Sequence, residues 1–375
     1  MKLGRKFLAI LLAVIITSVA FFVVFNLPAP SVSTENENWL SGWNYRKSHN
    51  VAGSPGAGTN YQIKISTHYQ RGTDSGGDVY LESSCQKNFN DVRFTDDDGV
   101  TLLYYWLETK TDGDNAVFWV KVSDNLDNDQ SIFIYYGNRT VSSASNIDKT
   151  FPFADDFSGS SLNAAKWRTF GSGKVIITGE NCTLGSVPEA CGWAYILGKT
   201  SVDTNYSIRF RSLVIEQGQD RWTHHGFATI YNSSQDGGRI DEFPNYITMS
   251  QESMFYAWSL RTRAYSHTTR VDISSDAPAK ETFYTYEIQR NGTANVLFNC
   301  NNVYQGNIST NVPSVNMGAM FAADNAGSPL FSATVIDWVI IRKYVATEPS
   351  QGTWGIEETS PTNNVFGGWL GFFNR

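Results

Sequence analysis

The sequence predicts an all-β protein of two β-sandwich domains behind an N-terminal transmembrane or signal helix, and three observations predict it. Aromatic residues make up 14% of the 375 residues and charged ones only 17%, with Gly 31, Tyr 18 and Phe 23; such a composition suits pleated, half-buried surfaces joined by tight turns. Strand-length runs of β-branched and aromatic residues recur along the chain between Asp/Asn/Gly clusters. Almost nothing between residues 39 and 346 carries a sustained helical period. At roughly 150 residues per domain, the length accommodates two or three units. The 41% hydrophobic content excludes a disordered chain, and the net charge of -7 removes the broad basic field a nucleic-acid binder needs.

At the N-terminus, Lys2, Arg5 and Lys6 precede an uncharged apolar run from Phe7 to Phe25, followed by Pro28 and Pro30. This is an export signal. The run approaches the ~20 residues that span a bilayer and lacks a convincing small-x-small cleavage site. Residues 1–30 are therefore expected to stay as a signal anchor, with membrane contact through residues 7–25, rather than to leave as a signal peptide. With the basic flank inside, the chain reads as a single-pass cell-membrane protein with extracellular domains, or as a secreted one if the segment is cut. In that compartment cysteines can pair. Cys182 and Cys191 flank a short Gly/Pro-containing segment, and a local bridge is expected there, while Cys85 and Cys300 either pair across domains or stay free. Asn-x-Ser/Thr sequons begin at Asn138, Asn181, Asn205, Asn232, Asn291 and Asn307; they are exposed-loop glycosylation sites if the host glycosylates.

Residues 31–38 form a polar stalk. A first β domain is expected over 39–145, with strands at 60–66, 91–95, 101–108, 116–122 and 131–136. Turn clusters at Asp96–Gly99, Thr111–Asn115 and Ser123–Asp129 separate several of them. Alternation sets Phe118, Val120 and Val122 toward the core against Val117, Trp119 and Lys121. After a polar linker, a second domain is expected over 151–346, with strands at 174–178, 206–212, 226–231, 254–261, 282–289, 295–298 and 334–342. Many strands with almost no helix point to a sandwich, because two sheets must each bury a face against the other. Residues 347–375 are expected to be a tail.

The first unit resembles the domain-of-unknown-function family 2341. The match is carried in order by Trp43–Lys47, Asp78–Leu81, Phe89–Asp96, Tyr105–Glu108, Ala116–Val122 and Ile134–Asn138. The resemblance implies an exported β domain, often beside carbohydrate-related modules, without an established activity. The second unit resembles the concanavalin-like jelly roll of lectin-type modules, laminin-G-like domains and family 16 glycoside hydrolases. Its opening, Ala154–Trp167, and its closing strand, Val335–Arg342, carry that likeness.

A retaining glycosidase needs two carboxylates about 5–5.5 Å apart. The resemblance to family 16 implies a Glu-x-Asp-x-(x)-Glu strand, and the nearest local candidate is Arg239–Phe243. There Asp241 and Glu242 are adjacent and fall on opposite strand faces, and Arg239 stands where the leading Glu belongs. No catalytic residue is assigned; a pair assembled by folding, involving Glu216 or Glu287, stays open. His224 and His225 lie outside any metal-ligand spacing. Asp96–Gly99 lacks the alternating ligands of a calcium loop and reads as a hairpin turn, so neither a metal nor a cofactor is assigned. Sugar binding asks for a stacking ring and a few fixed polar groups. If 254–271 is one strand, Tyr256, Trp258 and Leu260 face the core, while Ser259, Arg261, Arg263, Tyr265 and His267 form a polar face to which Trp222 and His224 can add. The alternative is an ordinary solvated sheet face. In the tail, Phe366, Trp369, Leu370 and Phe373 have the spacing of one helical side and suit an interface or a protein partner, or packing on their own domain.

The resulting expectation is a cell-surface protein that recognises glycans or polysaccharides, or mediates adhesion, without catalysis. A jelly-roll glycoside hydrolase or lyase and a structural envelope protein are the alternatives.

Overall fold

The computed structural model describes residues 38–185, 193–216, 222–229, 243–252, 257–264, 267–273, 279, 281–324 and 333–361. The apolar run 7–25, Cys191, Asn232, Asp241, Glu242, Tyr256, Tyr265 and the apolar C-terminus lie outside the described residues. Among the described residues no helix is long and apolar enough to cross a membrane.

The first sandwich begins with β1 (Tyr45–Ala52), β2 (Tyr61–His68), β3 (Asp78–Tyr80), β4 (Arg93–Thr95), β5 (Tyr105–Thr111), β6 (Asn115–Val122) and β7 (Gln130–Tyr136). One sheet has the order β3-β2-β6-β5, and the other contains β1-β7-β4. The alternation of β6 works as expected: Phe118, Val120 and Val122 join Ile63, Ile65, Ile132 and Ile134 in the core. The Asp96–Gly99 cluster is a turn. Asp98 accepts from the backbone of Val100 and Thr101, and Gly99 takes φ +74, a left-handed value at which a Cβ would clash.

A single helical turn, α1 (Ile147–Thr150), follows. Asn146 caps it by accepting from Lys149 N, satisfying one of the amides a helix start leaves open.

The second sandwich comprises β8 (Phe153–Asp155), β9 (Trp167–Phe170), β10 (Lys174–Thr178), β11 (Asn181–Gly185), β12 (Trp193–Gly198), β13 (Tyr206–Glu216), β14 (Trp222–Ala228), β15 (Asn245–Glu252), β16 (Ala257–Ala264), β17 (His267–Ile273), β18 (Tyr284–Asn291), β19 (Asn295–Cys300), β20 (Val303–Ile308), β21 (Gly318–Asp324) and β22 (Ala333–Lys343). An eight-stranded sheet, β10-β11-β22-β13-β18-β19-β20 with β8 on β22, packs on a seven-stranded sheet, β17-β16-β15-β14-β21-β12-β9. Ile208, Phe210, Ile288, Phe298, Ile336 and Ile341 from the first meet Ile196, Phe227, Ile247, Leu260 and Phe321 from the second. The architecture is the expected all-β jelly-roll sandwich.

The chain then goes back to the first sandwich. β23 (Ser350–Trp354) and β24 (Glu358–Thr359) both pair with β1, so the first sandwich is made of two separated stretches with the second inserted between them. Residues 350–359, expected as tail, are structural strands. Trp354 stacks on His49 with ring centroids 3.9 Å apart and donates to Gly76 O. A segment this short has no strand partner of its own, and an edge of β1 supplies one.

Both sandwiches belong to one compact unit, Trp39–Arg375. Where they meet, Trp106, Trp119, Ile147, Phe151, Trp338 and Ile340 form an apolar cluster. Trp106 and Trp338 pack edge to face at 5.2 Å, a geometry worth about 0.5–1.5 kcal/mol beyond area burial.

Candidate functional site

The face of the seven-stranded sheet that points away from the core carries a polar centre. Alternation along β14 sends His225 and Phe227 inward and leaves Trp222 and His224 on the outer face. Register then aligns three rows across the strands. Asp324, Trp222 and Glu252 form one; Ala322, His224, Ser250 and Ser259 the next; Met320, Gly226, Thr248 and Arg261 the third. A Cβ at Gly226 would lie 2.2 Å from Ile247 O, so this central position requires glycine. Tyr195, Leu197, Ala228, Tyr246 and Met320 build an apolar shelf beside the polar rows.

Hydrogen bonds fix the centre. His224 Nδ1 shares a 2.7 Å bond with Ser250 Oγ, which lies 3.0 Å from Thr248 Oγ1, and Arg261 Nε donates to Ser259 Oγ at 3.0 Å. His224 Nε2 is buried and, among the described residues, has no hydrogen-bond partner. Burial, then the charges of Arg261 and His225, hold the pKa of His224 well below the usual histidine value, so its imidazole is neutral at ordinary pH. His225 points into the core between Phe210 and Phe321, and burial pushes its pKa down to about 3.

Of the residues expected to make a sugar face, Trp222, His224, Arg261 and Arg263 do share the outer face. Tyr265 lies outside the described residues. His267 does not share that face: the chain reverses after Ala264, His267 pairs with Ala264 and Thr268 with Arg263. A hairpin restarts the alternation that a single strand over 254–271 would have carried through. Nor is the face an open solvated one. His224, Thr248, Ser250, Ser259 and Arg261 are all buried.

The carboxylates sort as clearly. Glu287 accepts from Arg342, Arg209 and Ser207 on the other sheet. Burial alone would raise its pKa, but Arg342 and Arg209 overcome that and hold it at about 2. It is a structural ion, committed to two guanidinium groups, and no reacting group. Asp324 and Glu252 went unnoticed in the sequence because 72 residues separate them; only the strand order β15-β14-β21 places both opposite Trp222. Among the described residues, Asp96, Asp97 and Asp124 bring ligand atoms within 4.8 Å of one another, with Asp97 exposed.

Cys182 is a free thiol buried in the core opposite Ile336, and burial pushes its pKa up to about 12. Alternation directs this side chain between the sheets; Cys191, the expected partner, lies outside the described residues. Cys85 and Cys300 are also free. Asn205 and Asn307 are exposed, and Asn138, Asn181 and Asn291 are half-buried.

Residues 88–170 match the family model described as Domain of unknown function (DUF2341). The first sandwich contains most of that stretch. No curated protein matches the sequence. Solved structures similar to the chain include the catalytic domain of an endo-1,3-beta-glucanase (laminarinase) from Thermotoga petrophila, at TM-score 0.42 and 10% identity over 52% of this chain and 97% of the other. A beta-1,3-glucanase from Mycobacterium marinum gives 0.39 and 12% over 51% and 98%. A structure reported with endo-acting O-glycanases of the human gut microbiota gives 0.43 and 12% over 52% and 99%. The similar structures are described as glucanases and O-glycanases, and the expected role of non-catalytic glycan recognition or adhesion is corrected on that ground.

Proposed function

We propose that the second sandwich is a jelly-roll glycoside hydrolase acting on a polysaccharide at the outer face of its seven-stranded sheet. The observation that carries this reading is the row Asp324–Trp222–Glu252. Two carboxylate-bearing positions flank one tryptophan, two strand spacings apart, or about 9.5 Å at the backbone. Glycoside hydrolysis uses two carboxyl groups, one to protonate the leaving oxygen and one to activate water or attack the sugar; the anomeric centre is inverted where the carboxyls stand about 6.5–9.5 Å apart and retained where they stand about 5–5.5 Å apart. Trp222, half-buried between them, supplies a ring on which a sugar face can stack. The neutral His224 beside them can accept a hydrogen bond at Nε2 from a sugar hydroxyl. A polysaccharide substrate lies outside the cell, which agrees with export through the basic-flanked apolar run 7–25.

The test is reducing-end release by the full chain from a panel of β-glucans and mucin-type glycans, with the product anomer read by NMR. Release, reduced at least about 10³-fold in both Asp324→Asn and Glu252→Gln, is the expected result, in line with the loss of a general acid or base; the anomer tells which carboxyl spacing the site uses. No release across the panel, or release that survives both substitutions, overturns the reading.

A further inference from the structure

On the opposite side of the second sandwich, a cleft of about 500 Å³ opens where β2 meets β18 and β19. Its base is a closed ionic network. Arg209 bridges Glu108 of the first sandwich and Glu287 of the second, and Arg342 bridges Glu287 and Glu348. These three carboxylates are held by guanidinium groups and offer little to a ligand.

The wall above the base is different, because its remaining groups are donors. Lys64, half-buried, lines the cleft, and among the described residues its ammonium makes neither an ion pair nor a hydrogen bond, with Arg209, Glu108, Glu287 and Arg342 acting on it at longer range. Gln289 Oε1 accepts from Asn299, and Asn302 Oδ1 accepts from Arg209, so both amide oxygens are engaged while both NH₂ groups remain available. Arg209 Nε is buried without a partner among the described residues. Asp78, at the rim, is tied to His68 at 2.8 Å. An ammonium and two amide donors converging on one polar cleft call for a ligand rich in acceptors and carrying a negative charge.

We propose that this cleft binds an acidic sugar, a hexuronate unit of a polysaccharide, with its carboxylate on Lys64 and its hydroxyl oxygens on Gln289 and Asn302. Trp119, with Arg342 over its ring, closes the base. The site is built from both sandwiches, so it exists only because the second is inserted into the first. It is also independent of the hydrolase reading, since it lies against the other sheet and uses none of the same residues.

The experiment is calorimetric titration of the full chain with a galacturonic acid oligomer and with the uncharged galactose oligomer of equal length, on wild type, Lys64→Met and Gln289→Leu. Among the described residues Lys64 is in direct contact with no carboxylate, and Glu108, Glu287, Arg209 and Arg342 act on it only at longer range, so the melting temperature of Lys64→Met is recorded beside the titration and is expected to stay close to that of the wild type. The expected result is saturable binding of the acidic oligomer, at least tenfold weaker for the neutral one and at least tenfold weaker in Lys64→Met, with a smaller loss in Gln289→Leu. Absence of saturable binding to wild type, equal affinity for the two oligomers, or undiminished binding in Lys64→Met overturns the proposal. Hydrolysis by Asp324 and Glu252 can fail or succeed without altering any of these outcomes.

Discussion

The two outer faces of the second sandwich are both polar and both largely buried, yet they are built on opposite rules. On the eight-stranded sheet, Glu287 is matched by Arg342, Arg209 and Ser207, and the carboxylate is fully engaged. On the seven-stranded sheet, Ser250 ties down one nitrogen of His224 and the other is buried without a partner among the described residues. Burial of a polar group is costly unless it is hydrogen-bonded. The carboxylate of Glu287 is therefore read as structural, and the open nitrogen of His224 is the feature that the hydrolase proposal uses, while Arg209 Nε on the first face is also buried without a partner among the described residues.

The sharpest test of this contrast is Glu287→Gln. Neutralising the shared carboxylate leaves Arg342 only Glu348 and Arg209 only Glu108, so each buried guanidinium loses one of its two counter-charges, and a loss of roughly 3 kcal/mol in unfolding free energy is expected from urea melts. Replacing both partners in Glu287→Leu/Arg342→Met leaves Arg209 on Glu108 and releases only Glu348, a third exposed and able to reach water, so it is expected to cost less than the single change. A double change that costs as much as the single one would break the structural reading of this face.

Acid titration sharpens the comparison further. Glu287 has a folded pKa of about 2, below its ordinary value of 4.5. Its contribution is fully present above about pH 4.5 and is lost as pH falls toward 2. His225 also has a depressed folded pKa, about 3 against 6.5. Below pH 6.5 the unfolded chain takes up a proton that the folded one refuses, so stability falls by at most about 1.4 kcal/mol per pH unit between 6.5 and 3. Urea melts at pH 7, 5 and 4 are expected to show this loss in wild type and less of it in His225→Gln. In Glu287→Gln the slope between pH 7 and 5 is expected to remain unchanged.

The smallest expected effect concerns the core between the two faces. Cys182 is a buried thiol with its pKa near 12, so it is expected to resist thiol reagents in the folded protein and to react once denaturant opens the sandwich. Mass mapping of the labelled peptide checks it, and rapid labelling under native conditions would place Cys182 outside the core.

The sequence by itself determined the class of fold and most strand positions, because alternation and turn chemistry act within a few residues. Phe118, Val120 and Val122 were legible as core, and Asp96–Gly99 as a turn. The opposite side of β6 was not: Trp119 reads as an outward aromatic, and only the arrival of Trp338 and Phe151 from another part of the chain buries it. The same holds for the strands 350–359, which have no local signal strong enough to assign them and gain their identity from pairing with β1. His267 was misplaced because a hairpin resets parity, a decision made by pairing rather than by propensity. Asp324, Trp222 and Glu252 are brought into one row, and Lys64 into one cleft with Gln289, by strand order and domain insertion. Those are long-range pairings, which carry no period along the chain and are decided only when the sheets assemble.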